Sequence, residues 1–156
     1  ILKVINSEDT APKFNIDEAI KILEDAGYKK DANGYYVSGL TIDVFEDGGY
    51  PDAAKLMEAT LAKAGIELKV QVHEFNAWSE KVDVNRDFML ELQGGFMGPD
   101  PAALQKRLGA GQYSNYGEYN NKEFDDLLAK GAATGDQAER AEYYKKAQAI
   151  LAEDLP

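Results

Sequence analysis

Two strand patterns that flank one helical pattern constrain the fold of this chain more than any other feature. Residues 66–74, IELKVQVHE, alternate strictly between apolar and polar side chains, which predicts a strand with one covered face. Residues 40–45, LTIDVF, predict an earlier strand, and the helical pattern between the two has Pro51 in its first turn and Gly65 at its end. This order predicts a βαβ unit, in which a helix connects two parallel strands. The side chains expected to face the core are Leu40, Ile42, Val44, Ile66, Leu68, Val70 and Val72 from the strands, and Leu56, Met57 and Leu61 from the helix.

The remaining patterns add a third strand and several helices. Residues 88–95, FMLELQGG, predict the third strand. A helix is expected over 15–27, with Asn15 as its N-cap and Gly27 at its C-terminal end. Further helices are expected over 76–82, from Pro101 after the cap residue Asp100, over 122–130, and from the cap residue Asp136 to Leu151. The predicted fold class is therefore α/β: a small sheet built from βαβ units, with additional helices in the C-terminal part.

The ends of the predicted strands indicate where a ligand would bind. In sheets of this kind ligands bind beyond the carboxyl ends of the strands, which here are followed by residues 46–50, 73–78 and 93–101. These loops carry aromatic side chains suited to contacts with peptides, sugars or other organic ligands. Gly94 and Gly95 admit two interpretations, because glycine serves both an ordinary turn and a close approach of the backbone to a ligand.

The composition argues against several classes of function. The chain has no cysteine, which excludes disulfides, thiol catalysis and cysteine-ligated metals. Its one histidine, His73, has the outward parity of its strand and is expected to face solvent, so one chain cannot supply a catalytic triad or a histidine metal cluster. The formal net charge of −11 argues against nucleic acid and anionic membrane surfaces as partners. We therefore predict no catalytic residues, no bound metal and no cofactor.

Four stretches of the sequence carry a resemblance to a known family. They are residues 16–28 (IDEAIKILEDAGY), 50–71 (YPDAAKLMEATLAKAGIELKVQ), 98–108 (GPDPAALQKRL) and 120–156, of which the last is the most specific. In this order and spacing they resemble the family 5 solute-binding proteins of ABC transporters, the group that binds oligopeptides, dipeptides and nickel. The resemblance covers nearly the whole chain.

The resemblance implies a type II periplasmic-binding-protein fold, in which the solute is enclosed between two hinged lobes. Residues 1–156 would be a single α/β lobe, excised from the C-terminal side of a longer protein and lacking its N-terminal lobe. The implied function is capture of a peptide or peptide-like solute outside the cytoplasmic membrane, in the periplasm or from a lipid anchor at the cell surface, and its delivery to an ABC permease. The resemblance implies no enzymatic activity. An isolated lobe exposes its partner-facing surface, so a dimer of the fragment is also expected.

One departure from the family pattern affects the expected ligand. In peptide-binding members an aspartate just upstream of the acidic-Pro pair holds the ammonium group of the peptide. Aligning Asp100-Pro101 with that pair places Met97 at the aspartate position, and methionine offers an apolar surface instead of a charge. Opines, oligosaccharides and metal chelates therefore stay open as ligands. Outside the family, a small acidic hydrolase with paired carboxylates and a partner-docking domain also stay open. The residues expected to contact the ligand are Tyr50, Trp78, Gly94, Gly95, Phe96, Met97, Asn115 and Tyr116, the last two from a loop that lies near the cleft in some members.

Overall fold

The computed structural model describes residues 13–94 and 98–156. These residues form two compact units, one spanning Phe14–Gly94 and the other, in its described part, Lys13 and 98–156. The first unit holds the described strands, and the described part of the second is helical. The predicted ligand contacts Gly95, Phe96 and Met97 lie outside the described residues.

The sheet of the first unit is parallel and has the strand order β2-β1-β3. Its strands are β1 (Val37–Phe45), β2 (Ile66–His73) and β3 (Leu90–Glu91). The predicted βαβ unit is confirmed, since a helix connects β1 to β2. The third strand is shorter than the predicted 88–95, and Gly94, inside the predicted range, donates its backbone N–H to the hydroxyl of Tyr50.

The connecting helix, α2 (Tyr50–Lys63), packs on the sheet through a different face from the one predicted. Ala54 is fully buried against Ile42, Val44 and Leu68, and Leu61 packs beside it. Leu56 follows Ala54 by two residues, a rotation of about 200° around the helix, and it is 69% exposed. The prediction that Leu56 and Met57 belong to the buried stripe was therefore wrong, because both side chains are exposed.

The other helices of the first unit begin at side-chain caps. In α1 (Ile16–Asp25) the Asn15 carboxamide accepts the Glu18 N–H at 3.1 Å, which confirms the predicted N-cap. In α3 (Phe75–Ser79) the Glu74 carboxylate accepts the first backbone N–H groups. A π-helical turn, Glu80–Val84, follows directly after α3. These caps satisfy donors that a helix end otherwise leaves unpaired.

The second unit consists of α4 (Leu104–Leu108), α5 (Lys122–Ala133) and α6 (Gln137–Asp154), preceded by a 3₁₀ turn at Pro101–Ala103. Its core lies between α5 and α6 and contains Phe124, Leu127, Leu128, Tyr144 and Ala147. The predicted caps Asp100 and Asp136 are confirmed, because both carboxylates accept backbone N–H groups of the turns that follow them. Within the described ranges, every helix is too short or too polar to cross a bilayer.

Candidate functional site

The carboxyl edge of the sheet carries a cluster of four aromatic rings, Phe45, Tyr50, Phe75 and Trp78, here called the edge cluster. Phe45 is its centre: its ring centroid lies 4.6 Å from Tyr50, 5.3 Å from Phe75 and 4.9 Å from Trp78. Three elements bring these rings together, because β1 ends at Phe45, α2 begins at Tyr50, and α3 follows the end of β2. Phe75 is 52% exposed and presents an apolar face at this edge. Such a face suits an organic ligand.

Tyr50 and Gly94, both predicted ligand contacts, touch each other. The Tyr50 hydroxyl accepts the Gly94 N–H at 3.0 Å, which ties the start of α2 to the chain that leaves β3. Gly48 and Gly49 precede Tyr50 with φ values of 68° and 76°, a left-handed conformation that favours glycine. The loop EDGGY therefore turns sharply to place the tyrosine ring at the sheet edge.

Trp78 is the fully buried member of the edge cluster, with 1% of its surface exposed. Its indole N–H donates to the backbone carbonyl of Asp43 at 3.3 Å. This bond fixes α3 against the central strand. A ligand contact of Trp78 stays a prediction, and the described geometry gives the side chain a packing role.

The expectation that His73 faces solvent was wrong. Its Nε2 lies 2.7 Å from Oδ1 of Asp43, whose side chain is only 1% exposed, while that of His73 is 23% exposed. The other carboxylate oxygen of Asp43 is buried and has no hydrogen-bond partner among the residues that the structure describes. Val72, expected to face the core, is half exposed instead. Val72 and His73 both lie at the C-terminal end of β2, which is an edge strand. There the alternation of apolar and polar residues does not determine which face of the sheet is covered.

Sequence reasoning missed this Asp43–His73 pair. A signal was present, because an aspartate interrupts the apolar run of the central strand and burial of a carboxylate requires a partner. In the parallel register Phe45 lies opposite His73, and Asp43 lies opposite Gln71. Asp43 therefore contacts a histidine two residues beyond its own register partner. That register was not available from either strand alone.

In the second unit, Asn115 organises the loop between α4 and α5. The side chain is 4% exposed, and its amide donates to the carbonyls of Gly109 and Tyr119 at 3.0 and 2.8 Å. Its oxygen accepts the Tyr119 N–H at 3.0 Å, so both amide donors are already used by the protein. Tyr116 is half-buried beside it in sequence, and Tyr113 is largely exposed. Contacts of Asn115 and Tyr116 with a ligand stay predictions.

Tyr119 and Asp154 close the same loop onto the end of α6. The Tyr119 hydroxyl donates to the Asp154 carboxylate at 2.5 Å, and Asn121 donates to the same oxygen at 2.9 Å. Desolvation of the phenol and this hydrogen bond raise the pKa of Tyr119 to about 12. The same hydrogen bonds hold the pKa of Asp154 below its usual range.

Asp100 links the described end of the GPDP segment to α6. Its Oδ1 caps the 3₁₀ turn by accepting the Ala102 N–H at 2.8 Å, and it also accepts a bond from Arg140 at 2.6 Å. Arg140 donates in addition to the Gly131 carbonyl at 2.9 Å. The hydrogen bond from Arg140, followed by that from the Ala102 N–H, holds the pKa of Asp100 below its usual range.

The predicted ligand contacts are thus distributed over both units. Tyr50, Gly94 and Trp78 meet at the sheet edge of the first unit, and Asn115 and Tyr116 lie in one loop of the second. Among the described residues, no three metal-ligating side chains converge.

Comparisons with known proteins agree with the fold. The profile of bacterial extracellular solute-binding proteins, family 5 Middle, matches residues 4–116. The dipeptide-binding protein of Escherichia coli K12 is 27% identical over 154 residues, which cover 92% of this chain and 27% of that protein. A dipeptide-binding protein from Pseudoalteromonas sp. SM9913, solved with Met-Leu, has a TM-score of 0.79 at 26% identity, and the match covers 98% of this chain and 31% of that one.

A third protein, NikZ from Campylobacter jejuni, solved with Ni(L-His), has a TM-score of 0.78 at 22% identity, covering 90% of this chain and 30% of that one. The chain spans less than a third of the length of each of these proteins. The predicted type II periplasmic-binding fold is confirmed by these neighbours. The chain therefore belongs to the family 5 bacterial extracellular solute-binding proteins.

Proposed function

We propose that residues 1–156 form one lobe of a two-lobe protein that binds a peptide or peptide-like solute and delivers it to an ABC permease. The family match supports the solute-binding role. The observation that carries the proposal is the edge cluster, where half-exposed Phe75 and the anchored Gly94 backbone stand at the carboxyl end of a parallel sheet. This is the edge at which sheets of this class bind ligands.

The proposed mechanism requires no covalent chemistry and no cofactor. A solute that contacts both lobes only in the closed form stabilises that form and shifts the population towards it. The permease then distinguishes the closed, loaded protein from the open, empty one. The protein acts outside the cytoplasmic membrane, in the periplasm or on a lipid anchor, and it is a transport component rather than an enzyme.

A metal chelate is the second candidate for the solute. Met97 replaces the carboxylate expected to hold a peptide ammonium group, and one structural neighbour was solved with Ni(L-His). Opines and oligosaccharides stay candidates for the same reason, because a solute without a free amino group needs no carboxylate at position 97. A peptide remains the first candidate because two of the compared relatives are dipeptide-binding proteins.

A thermal-shift screen of a two-lobe protein that contains this chain tests the choice of solute. Dipeptides, beginning with Met-Leu, are expected to raise the melting temperature, because a ligand that binds only the native state stabilises it by mass action. A nickel–histidine chelate and a neutral disaccharide serve as competitors. A shift with the chelate or the sugar, and none with any peptide, would replace the peptide proposal.

We also propose that the isolated chain forms dimers. Several large apolar side chains of the first unit are exposed, and exposed apolar surface favours association. They are Phe14, Ile22, Leu56, Val84 and Met89. Light scattering is expected to show a mass above 17.2 kDa at high protein concentration. A monomer throughout the concentration series would contradict the dimer.

A further inference from the structure

Two glycines that are 46 residues apart in sequence both make room for the same tyrosine ring. A Cβ atom added at Gly48 would lie 2.7 Å from Cε2 of Tyr50. A Cβ atom added at Gly94 would lie 2.6 Å from the Tyr50 hydroxyl oxygen. Both distances are shorter than carbon atoms tolerate without a shift. The tyrosine side chain is therefore enclosed by Gly48 on one side and by Gly94 on the other, and Phe45 packs against its ring.

The two glycines differ in why they exclude a side chain. Gly48 has φ 68°, so its backbone conformation disfavours any other residue. Gly94 has no such constraint, and the obstacle there is the hydroxyl oxygen alone. The next nearest atoms, Cε1 and Cζ of Tyr50, lie 3.5 Å from the added Cβ, which is an ordinary contact. An alanine at position 94 would thus fit beside a phenylalanine ring but not beside a tyrosine ring.

We propose that Tyr50 is a positioning residue, which fixes Gly94 in the segment that follows β3, and that its hydroxyl does not contact the solute. The role in solute binding rests on the proposed function. The hydroxyl oxygen accepts the Gly94 N–H at 3.0 Å, and this N–H is thereby withdrawn from a ligand. Tyr50 thus affects solute binding only through the position of Gly94, and the packing of Phe45 holds the Tyr50 ring in place.

A double-mutant cycle on this chain tests the steric half of the proposal. Gly94→Ala is expected to raise the unfolding equilibrium constant by at least about tenfold, in the range of other overpacking changes. In the Tyr50→Phe background the same change is expected to raise it by less than about threefold, because the clashing oxygen is gone. Gly135→Ala serves as the matched control, since a Cβ atom there meets nothing within 4 Å. Equal effects of Gly94→Ala in both backgrounds would overturn the proposal.

Amide exchange of Gly94, followed by NMR, tests the hydrogen bond. Tyr50→Phe keeps the ring and removes only the acceptor, so exchange of this one amide is expected to become about 2- to 12-fold faster, the range that corresponds to one lost hydrogen bond. Tyr28→Phe is the control, because Tyr28 is half exposed and lies outside the edge cluster. Unchanged exchange in Tyr50→Phe would show that the bond does not hold Gly94 and would overturn the proposal.

The affinity of the two-lobe protein for Met-Leu then separates positioning from direct contact. Tyr50→Phe is expected to weaken binding about 2- to 12-fold. Gly94→Ala is expected to weaken binding far more in the protein that keeps Tyr50 than in the Tyr50→Phe background. A loss of affinity in Tyr50→Phe without faster Gly94 exchange would indicate that the hydroxyl contacts the solute, against the proposal. If the unaltered protein binds no peptide, the proposed function fails, and the cycle and the exchange rate still decide the positioning role.

Discussion

Replacement of His73 by alanine is expected to be among the most destabilising single changes in the first unit. Asp43 is 1% exposed, and His73 Nε2 is the partner of its Oδ1 at 2.7 Å. The other oxygen has no partner in the described part of the chain. His73→Ala would remove the hydrogen-bond partner of a buried carboxyl group, and leaving a buried polar group unsatisfied costs about 1–3 kcal/mol. Because the Asp43 side chain is almost fully buried, we expect the upper end, about 3 kcal/mol.

Urea denaturation measured by tryptophan fluorescence is a direct assay for this change. Trp78 is the only tryptophan, and its indole donates to the backbone carbonyl of Asp43, so it reports on the site itself. With a urea dependence of about 1–3 kcal/mol per molar for small proteins, a loss of about 3 kcal/mol lowers the midpoint by about 1–3 M.

Two comparisons make the result specific to the pair. Gln71→Ala alters an exposed side chain on the same strand and is expected to stay within about 0.5 kcal/mol of the unaltered chain. Once Asp43→Ala has removed the carboxylate, adding His73→Ala is expected to cost less than about 1 kcal/mol. The reasoning would be refuted if His73→Ala behaved like Gln71→Ala, or if its cost were the same with and without Asp43.

Two further predictions concern groups of the second unit whose pKa is shifted. The pKa of Asp100 is lowered by Arg140 and by the cap, so this carboxylate adds stability that is present above its usual pKa of 3.8 and is lost as the pH falls through the lower folded-state value. The Arg140→Gln variant is expected to lack this contribution to stability. Acid unfolding at the same pH in the variant and in the unaltered chain would contradict the prediction. The pKa of Tyr119 is raised to about 12, so the phenol adds stability below pH 10 that is lost as the pH rises towards 12. Absorbance titration is expected to show a phenol near pH 12 that moves towards 10 in Asp154→Asn, and no change in that variant would refute the assignment.

The local parts of the fold could be predicted from the sequence. Asn15 and Asp136 cap helices because a short polar side chain directly precedes an apolar periodic run, and this signal depends on neighbouring residues only. The βαβ order was equally accessible, since each strand has its own alternation or apolar run. The helix expected over 122–130 was accessible as well, because Phe124, Leu127 and Leu128 recur there at helical spacing, and all three are buried.

The face of α2 could not be predicted in the same way. Leu56 and Met57 are as apolar as Leu61, and hydrophobicity alone does not distinguish their faces. The structure buries Ala54 instead, because a small side chain allows the helix to approach the sheet closely. Which of several apolar faces is buried thus depends on the shape of the opposing sheet, which no single helical segment encodes.

The sequence predicted which residues lie at the ligand edge of the sheet, but not how they contact one another. Tyr50 and Gly94 were both expected at the ligand edge, but the hydrogen bond between them joins residues 44 positions apart. The Asp43–His73 pair depends likewise on the register of two strands. Sequence patterns locate such residues on loops and strand ends, whereas the register decides which of them meet.

A calorimetric titration of Met-Leu tests the central claim most directly. It compares residues 1–156 alone with a two-lobe protein that contains them. The account predicts that the two-lobe protein binds the peptide and that the isolated chain binds it more than about tenfold more weakly, or undetectably, because one lobe offers only part of the contacts that favour closure. Sub-micromolar binding to the isolated chain, or no binding of any peptide to the two-lobe protein, would contradict it.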